Sequence, residues 1–161
     1  MTLVLNRIDD RLIHGQVVVG WGQPLGVGFV VLVDDEVAAS DWEQELYRMG
    51  VPPGVDLYFH SVADAPEHLE RYRADARPGI LLTGDIESMR RLADRGAVKA
   101  VNVGGIHHRP GREQKLRYVF LTPAEEQALR DLAAGGVAVT AQDVPSARPI
   151  ALDELLDGAK P

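Results

Sequence analysis

Five histidines and no cysteine set the chemical range of this chain. Thiolate nucleophiles, thiolate metal sites and disulfides are excluded, so reactive chemistry falls to imidazole, carboxylate and hydroxyl groups. His14 is the most informative of these. It follows the charged run Asp9-Asp10-Arg11 and precedes Gly15, where a helix is expected to begin. An imidazole at that place lies beside the unpaired amides of a helix start, those of Gly15 and Gln16 among them, and near the positive end of the dipole, surroundings that suit a phosphoryl group. Asp10, four positions earlier, is placed to hydrogen-bond one ring nitrogen and leave the other a lone pair for attack. Arg7 and Arg11 offer guanidinium forks for the charge of a transferring phosphoryl. On spacing alone a structural histidine among surface ion pairs remains the alternative.

Other residues offer less. Thr83-Gly84 supplies a hydroxyl and an amide for phosphate, and Gly104-Gly105 would let backbone approach a ligand closely; turn geometry alone also accounts for such glycines. His60 alternates with Tyr58 on a strand and reads as packed or capping, while His68 reads as part of a solvated helix face, so neither is given a role. His107 and His108 are adjacent and diverge in extended chain, and no HExxH pattern is present, so no metal site is expected. Gly15-Gln16-Val17-Val18-Val19-Gly20 has phosphate-loop glycine spacing, but Trp21-Gly22 stands where Lys and Ser or Thr are required. Neither a dinucleotide fingerprint after the first strand nor a Gly-x-Ser-x-Gly elbow is found. No cofactor is expected.

The elements that must position these residues alternate between short apolar runs and amphipathic stretches, the pattern of an α/β protein built on an open, mainly parallel sheet of six to seven strands. Strands are expected at Leu3–Ile8, Phe29–Val33, Asp56–His60, Ile80–Thr83, Ala100–Val103, Arg117–Leu121 and Val137–Ala141. Helices are expected at Gly15–Trp21, Ser40–Met49, Val62–Arg73, Ile86–Arg95, Ala124–Ala134 and Leu152–Leu156, with caps at Ser40, Ser61, Asp85 and Thr122. Gly50, Gly96 and Gly135 sit where left-handed helix ends would fall. Ligands of such sheets bind beyond the carboxyl ends of the strands, which selects the loops at Asp9–Gln16, Asp34–Glu36, His60-Ser61, Thr83–Asp85 and Asn102–Gly105.

With 161 residues the chain suits a single domain over 1–161. A formal charge of −7 lacks the basic field that grips nucleic acid, so no nucleic-acid partner is expected. The 22 residues between Arg11 and Asp34 carry no charge, but five glycines and Pro24 break them up, so they read as a buried turn, helix and strand and not as a membrane span. The N-terminus reads as lacking a signal peptide, which fits a cytoplasmic protein.

The string Arg7-Ile8-Asp9-Asp10-Arg11-Leu12-Ile13-His14-Gly15-Gln16-Val17 resembles the active-site motif of the enzyme IIB component of the mannose/fructose/sorbose-type sugar phosphotransferase system. Val33–Ala38, Val101–Ile106 with Gly111-Arg112, and Val144-Pro145-Ser146 follow in that family's order, so the likeness spans essentially the whole chain. The resemblance implies a three-layer α/β/α sandwich. It implies a phosphocarrier whose His14 takes a phosphoryl from a phosphohistidine on a IIA component. His14 then passes it to a hexose carried by the membrane components IIC and IID, with the protein at the membrane face of the permease. Asp10 and Arg11 match residues that position the phosphohistidine, Thr83 matches a hydroxyl residue near the phosphate, and Asp35, Gly104 and Gly105 lie in supporting loops. It further implies a free-standing IIB and a possible homodimer. His107-His108-Arg109-Pro110 departs from the family pattern and bears on partner fit. Two rival readings are a module that senses an anionic sugar phosphate without covalent chemistry, and an isomerase with His14 as base and Asp35 as partner.

Overall fold

A computed structural model describes residues 3–96 and 98–157. Strands β1 (Leu3–Ile8), β2 (Phe29–Val33), β3 (Asp56–His60), β4 (Gly79–Thr83), β5 (Ala100–Val103), β8 (Ala138–Ala141) and β9 (Ile150–Ala151) form one seven-stranded sheet in the order β3-β2-β4-β1-β5-β8-β9. Every pairing is parallel except that of β8 with β9. All residues of β2 and β4 are buried, which is why these strands read as unbroken apolar runs.

The two faces of the sheet are covered separately, giving the three layers expected. Phe29, Val31 and Val33 face helices α4 (Ala65–Arg73), α5 (Ile86–Asp94), α6 (Pro123–Ala134) and α7 (Leu152–Leu156), through Leu69, Met89, Leu129 and Leu155 among others. Val30 and Leu32 face the opposite layer, which holds Val17, Val18, Trp21 and Val37. That layer contains a π-helical segment Gln16–Gly22 running into the short α1 (Gln23–Leu25), then α2 (Asp35–Ala38) and α3 (Asp41–Met49). The uncharged stretch after Arg11 is thus a turn, a helix and a buried strand. No helix among the described residues is long and apolar enough to cross a membrane.

Local chemistry sets the helix starts. Ser40, Asp85 and Thr122 each accept a backbone N–H with the side chain, and Thr122 with Glu125 completes a capping box. Ser61 does not open α4: its Oγ accepts from the Asp64 amide at 3.1 Å, and the helix starts at Ala65, where Pro66 is preorganised for the first turn. Gly96 is left-handed as expected, but Gly50 and Gly135 are right-handed and Gly136 takes the positive φ after α6.

The expected strand Arg117–Leu121 does not join the main sheet. Residues Glu113–Leu116 (β6) and Val119–Leu121 (β7) form an antiparallel hairpin of their own, and β9 takes the seventh place. Arg112 anchors the hairpin to α6 through a forked contact with Glu125, at 3.0 and 2.8 Å, and Lys115 meets Glu126 at 2.8 Å.

β1 lies between β4 and β5, and its chain leaves toward β2 while that of β5 leaves toward β8. These two connections diverge at the carboxyl end of β1, the position where parallel sheets place ligands.

Candidate functional site at the carboxyl end of β1

Residues past Ile8 continue to pair with both neighbours. Asp9 N donates to Thr83 O at 2.9 Å, Gly104 N to Ile8 O at 2.7 Å and Asp10 N to Gly105 O at 2.8 Å. The loop is thereby clamped between the ends of β4 and β5 before it turns.

The turn is made at Leu12, whose φ of 60° is the left-handed conformation that side chains with a Cβ normally avoid. Packing holds it there. A Cβ on Gly84 would come within 2.7 Å of Leu12 Cδ2, so the glycine is what makes room for this side chain. The turn aims the Leu12 carbonyl at His14, whose Nδ1–H donates to it at 2.8 Å. That bond leaves the lone pair on Nε2, an atom shielded from water and without a hydrogen-bond partner among the described residues. Strain held by surrounding structure beside a reactive group is a recurrent property of functional loops. His14 is half-buried, and Gly15 after it is exposed with open space around its Cα.

Beneath the loop runs a buried ladder of charge. Arg7 and Asp9 are fully buried and meet at 3.3 Å. Arg11 closes on the same carboxylate from outside, with Nε on Oδ1 at 2.9 Å and Nη2 on Oδ2 at 2.8 Å. Arg7 also donates to Asn102 Oδ1, to Gln142 O at 2.9 Å and to Asp143 O at 3.0 Å, and its guanidinium lies 4.8 Å from the Trp21 ring centre. Burial by itself pushes the Asp9 carboxyl up, but the Arg11 hydrogen bonds and both guanidinium charges outweigh it and hold the group below its usual range. Arg7 moves down because burial outweighs the nearby Asp9 charge, and Arg11 moves up through its bonds to Asp9.

Several expected roles change accordingly. Arg7 is 0% exposed, bonded to Asn102 of β5 and to the main chain just after β8, where a phosphate ligand was expected to be open. Asp10 does not reach His14. Its Oδ2 accepts from His107 N at 2.7 Å and its Oδ1 meets His107 Nδ1 at 2.5 Å, because the Leu12 turn carries the imidazole onto a main-chain carbonyl instead. Thr83 is fully buried and its hydroxyl donates to Asp85 O at 3.0 Å. Gly104 and Gly105 do permit a close approach, but to the arginines: a Cβ on Gly104 would strike the Arg7 guanidinium, and one on Gly105 would come within 3.1 Å of Arg11 Nε. Asp35 accepts from the Val62 amide at 2.8 Å and so ties the β2 loop to the β3 loop. Gln16 opens the π-helical segment, and its side chain lies outside what the structure describes.

The structure thus brings together His14, Arg11, Gly15, Gly84, Gly104 and Gly105 at one loop cluster. It adds Asp9 as the hub, with His107 as the partner of Asp10. Asp9 had a readable signal, since Arg7 and Asp9 two apart on extended chain share a face. The Asp10–His107 pairing had none.

Known proteins carry the same arrangement of elements. The family model described as "PTS system sorbose subfamily IIB component" matches residues 3–161. The chain belongs to this family. Among relatives of this IIB component, the N-acetylgalactosamine-specific phosphotransferase enzyme IIB component 2 of Escherichia coli K12 is 32% identical over 155 residues, covering 96% of this chain and 98% of that protein. The sorbose-specific EIIB component of Klebsiella pneumoniae is 32% identical over 139 residues, with 85% of this chain and 84% of that protein covered. The crystal structure of the IIBSor domain of the sorbose permease from the same organism superposes with a TM-score of 0.88 at 28% identity, covering 99% of each chain. As a sorbose-type IIB component the chain is a phosphotransferase-system transferase with a role in sugar phosphotransfer and transport.

Proposed function

We propose that His14 accepts a phosphoryl group from a phosphohistidine on a IIA component and passes it to a hexose handled by the IIC and IID membrane components. The observation that carries this reading is the uncommitted Nε2 lone pair on a ring held by a strained loop at the sheet's ligand-binding edge. A buried imidazole that served only packing would have both nitrogens paired or one paired and one wet.

In the first step an N–P bond forms on His14 as the N–P bond on the donor breaks. In the second, the sugar oxygen takes the phosphoryl, the His14 bond breaks and the hydroxyl proton leaves to solvent or a base. Neither step demands a metal or nucleotide from this chain. The loose phosphoryl transition state needs positioning and charge compensation. Arg11, whose side chain is 31% exposed above the buried Asp9, is the residue placed to supply the charge. Because Nε2 is shielded at rest, the ring turns out from the Leu12 carbonyl to meet a partner, and that carbonyl returns it after discharge. Working between IIA and the permease puts the protein in the cytoplasm at the membrane face.

The test is reconstitution. Protein charged by phosphorylated IIA is mixed with membranes bearing IIC and IID and a labelled hexose. Sugar phosphate forms with the native chain and not with His14→Ala. A saturable rise in melting temperature with sugar phosphates, with no covalent phosphate and no transfer, would instead establish a sensing module.

A further inference from the structure

At the outer corner of the same sheet edge, three residues without a role in the site above converge. His60 ends β3, Asp64 precedes α4 and His68 lies one turn inside it. Asp64 Oδ2 stands 3.3 Å from His60 Nδ1 and 3.3 Å from His68 Nε2, and the two rings stack with centres 4.3 Å apart and 16° between planes. All three donor atoms lie within 4.8 Å of one another.

We propose that His60, Asp64 and His68 form a binding site for one divalent transition-metal ion of the Zn²⁺ type. The distances fit: zinc bonds of about 2.0–2.1 Å in a tetrahedron put neighbouring ligand atoms about 3.3 Å apart. Two edges of that tetrahedron already have this length, and His68, the more exposed ring, turns out of the stack to aim its in-plane lone pair at the ion and close the third. Two imidazoles and a carboxylate select zinc-like ions over magnesium or calcium, which prefer oxygen. The fourth position faces solvent, since the Asp64 side chain is 50% exposed and that of His68 31%. Three protein ligands and one open position make a metal-accessible site with an entry path.

The surroundings of His60 also match. Its Nε2 lies 2.5 Å from Tyr72 Oη, which receives a further hydrogen bond from Arg71 Nη2 at 2.6 Å, while the Arg71 guanidinium stacks over the Tyr72 ring at 4.8 Å. A ligating histidine ordinarily donates its second N–H to such an oxygen, which fixes the ring and turns the other lone pair toward the metal. With Nε2–H on Tyr72, the Nδ1 lone pair faces the Asp64 carboxylate, and a cation between them converts repulsion into coordination. The competing arrangement has Tyr72 donating to Nε2 and both imidazoles donating to Asp64, and it needs no ion. The corner lies three strand spacings from β1, about 14 Å, so the ion would pin the β3–α4 turn and not touch the His14 chemistry.

The experiment is calorimetric titration of chelator-treated, full-length protein with zinc chloride, alongside melting curves. One equivalent binds to the native chain and raises its melting temperature. Asp64→Asn and His68→Ala, both exposed and both checked for native circular dichroism, each weaken binding at least tenfold, and His108→Ala does not. Absence of saturable binding, or binding that survives in both Asp64→Asn and His68→Ala, overturns the site and leaves the hydrogen-bonded arrangement in its place. Phosphoryl transfer through His14 stands or falls independently of either result.

Discussion

Asp9 and Asp10 are adjacent in one loop, yet they serve two different regions. Asp9 belongs to an inner platform, fully buried between Arg7 and Arg11 and continuous with the ends of β5 and β8. Asp10 belongs to an outer latch, bonded to His107, whose side chain is 65% exposed. Burial decides the difference. A desolvated charge depends wholly on its partners, whereas a pair with one partner open to water, as His107 is and the 12%-exposed Asp10 side chain is not, gives up less when that partner is removed. The platform fixes where the His14 loop starts, and the latch ties that loop to the segment after Gly105.

The sharpest way to break this contrast is to remove the hub. Asp9→Ala leaves Arg7 buried without its counter-charge, and denaturant unfolding is expected to show a loss of about 3–5 kcal/mol. Gly104→Ala drives a methyl into the Arg7 guanidinium and is expected to cost about 1–3 kcal/mol by the same measurement. Acid adds a second view of the platform. Asp9 has a native pKa below its unfolded one, so its contribution is complete above about 4 and is lost as pH falls from there through the lower native value. Stability measured from pH 5 downward should therefore fall more steeply in the native chain than in Asp9→Ala. The latch is the weakest effect: His107→Ala should change stability by no more than about 0.5 kcal/mol. A loss comparable to that of Asp9→Ala would erase the distinction between the two regions.

The layers and the place of the site were legible in the sequence because they rest on local patterns. Apolar runs marked β2 and β4, and capping chemistry at Ser40, Asp85 and Thr122 marked helix starts within a residue. His14 was placed at the right edge by its position after β1. Contacts between distant residues were not legible: Arg7 finds Asn102 95 positions away and Asp10 finds His107 97 positions away. Those long-range pairings decide that Arg7 is buried structure and that Asp10 turns to His107. The Leu12 turn was equally hidden, since nothing in a leucine announces a positive φ; only Gly84, packed beneath it, permits the conformation. The hairpin β6–β7 escaped because it forms a sheet apart from the main one, and the polar run Glu113, Gln114 and Lys115 does not read as a strand.

One measurement bears most directly on the central claim: peptide mapping under alkaline conditions, by mass spectrometry, after the protein has been exposed to phosphorylated IIA. The account predicts a single acid-labile phosphate on the peptide containing His14, and none on the His14→Ala protein. Phosphate on another histidine, or a native chain that stays unmodified while its partner remains charged, would contradict it.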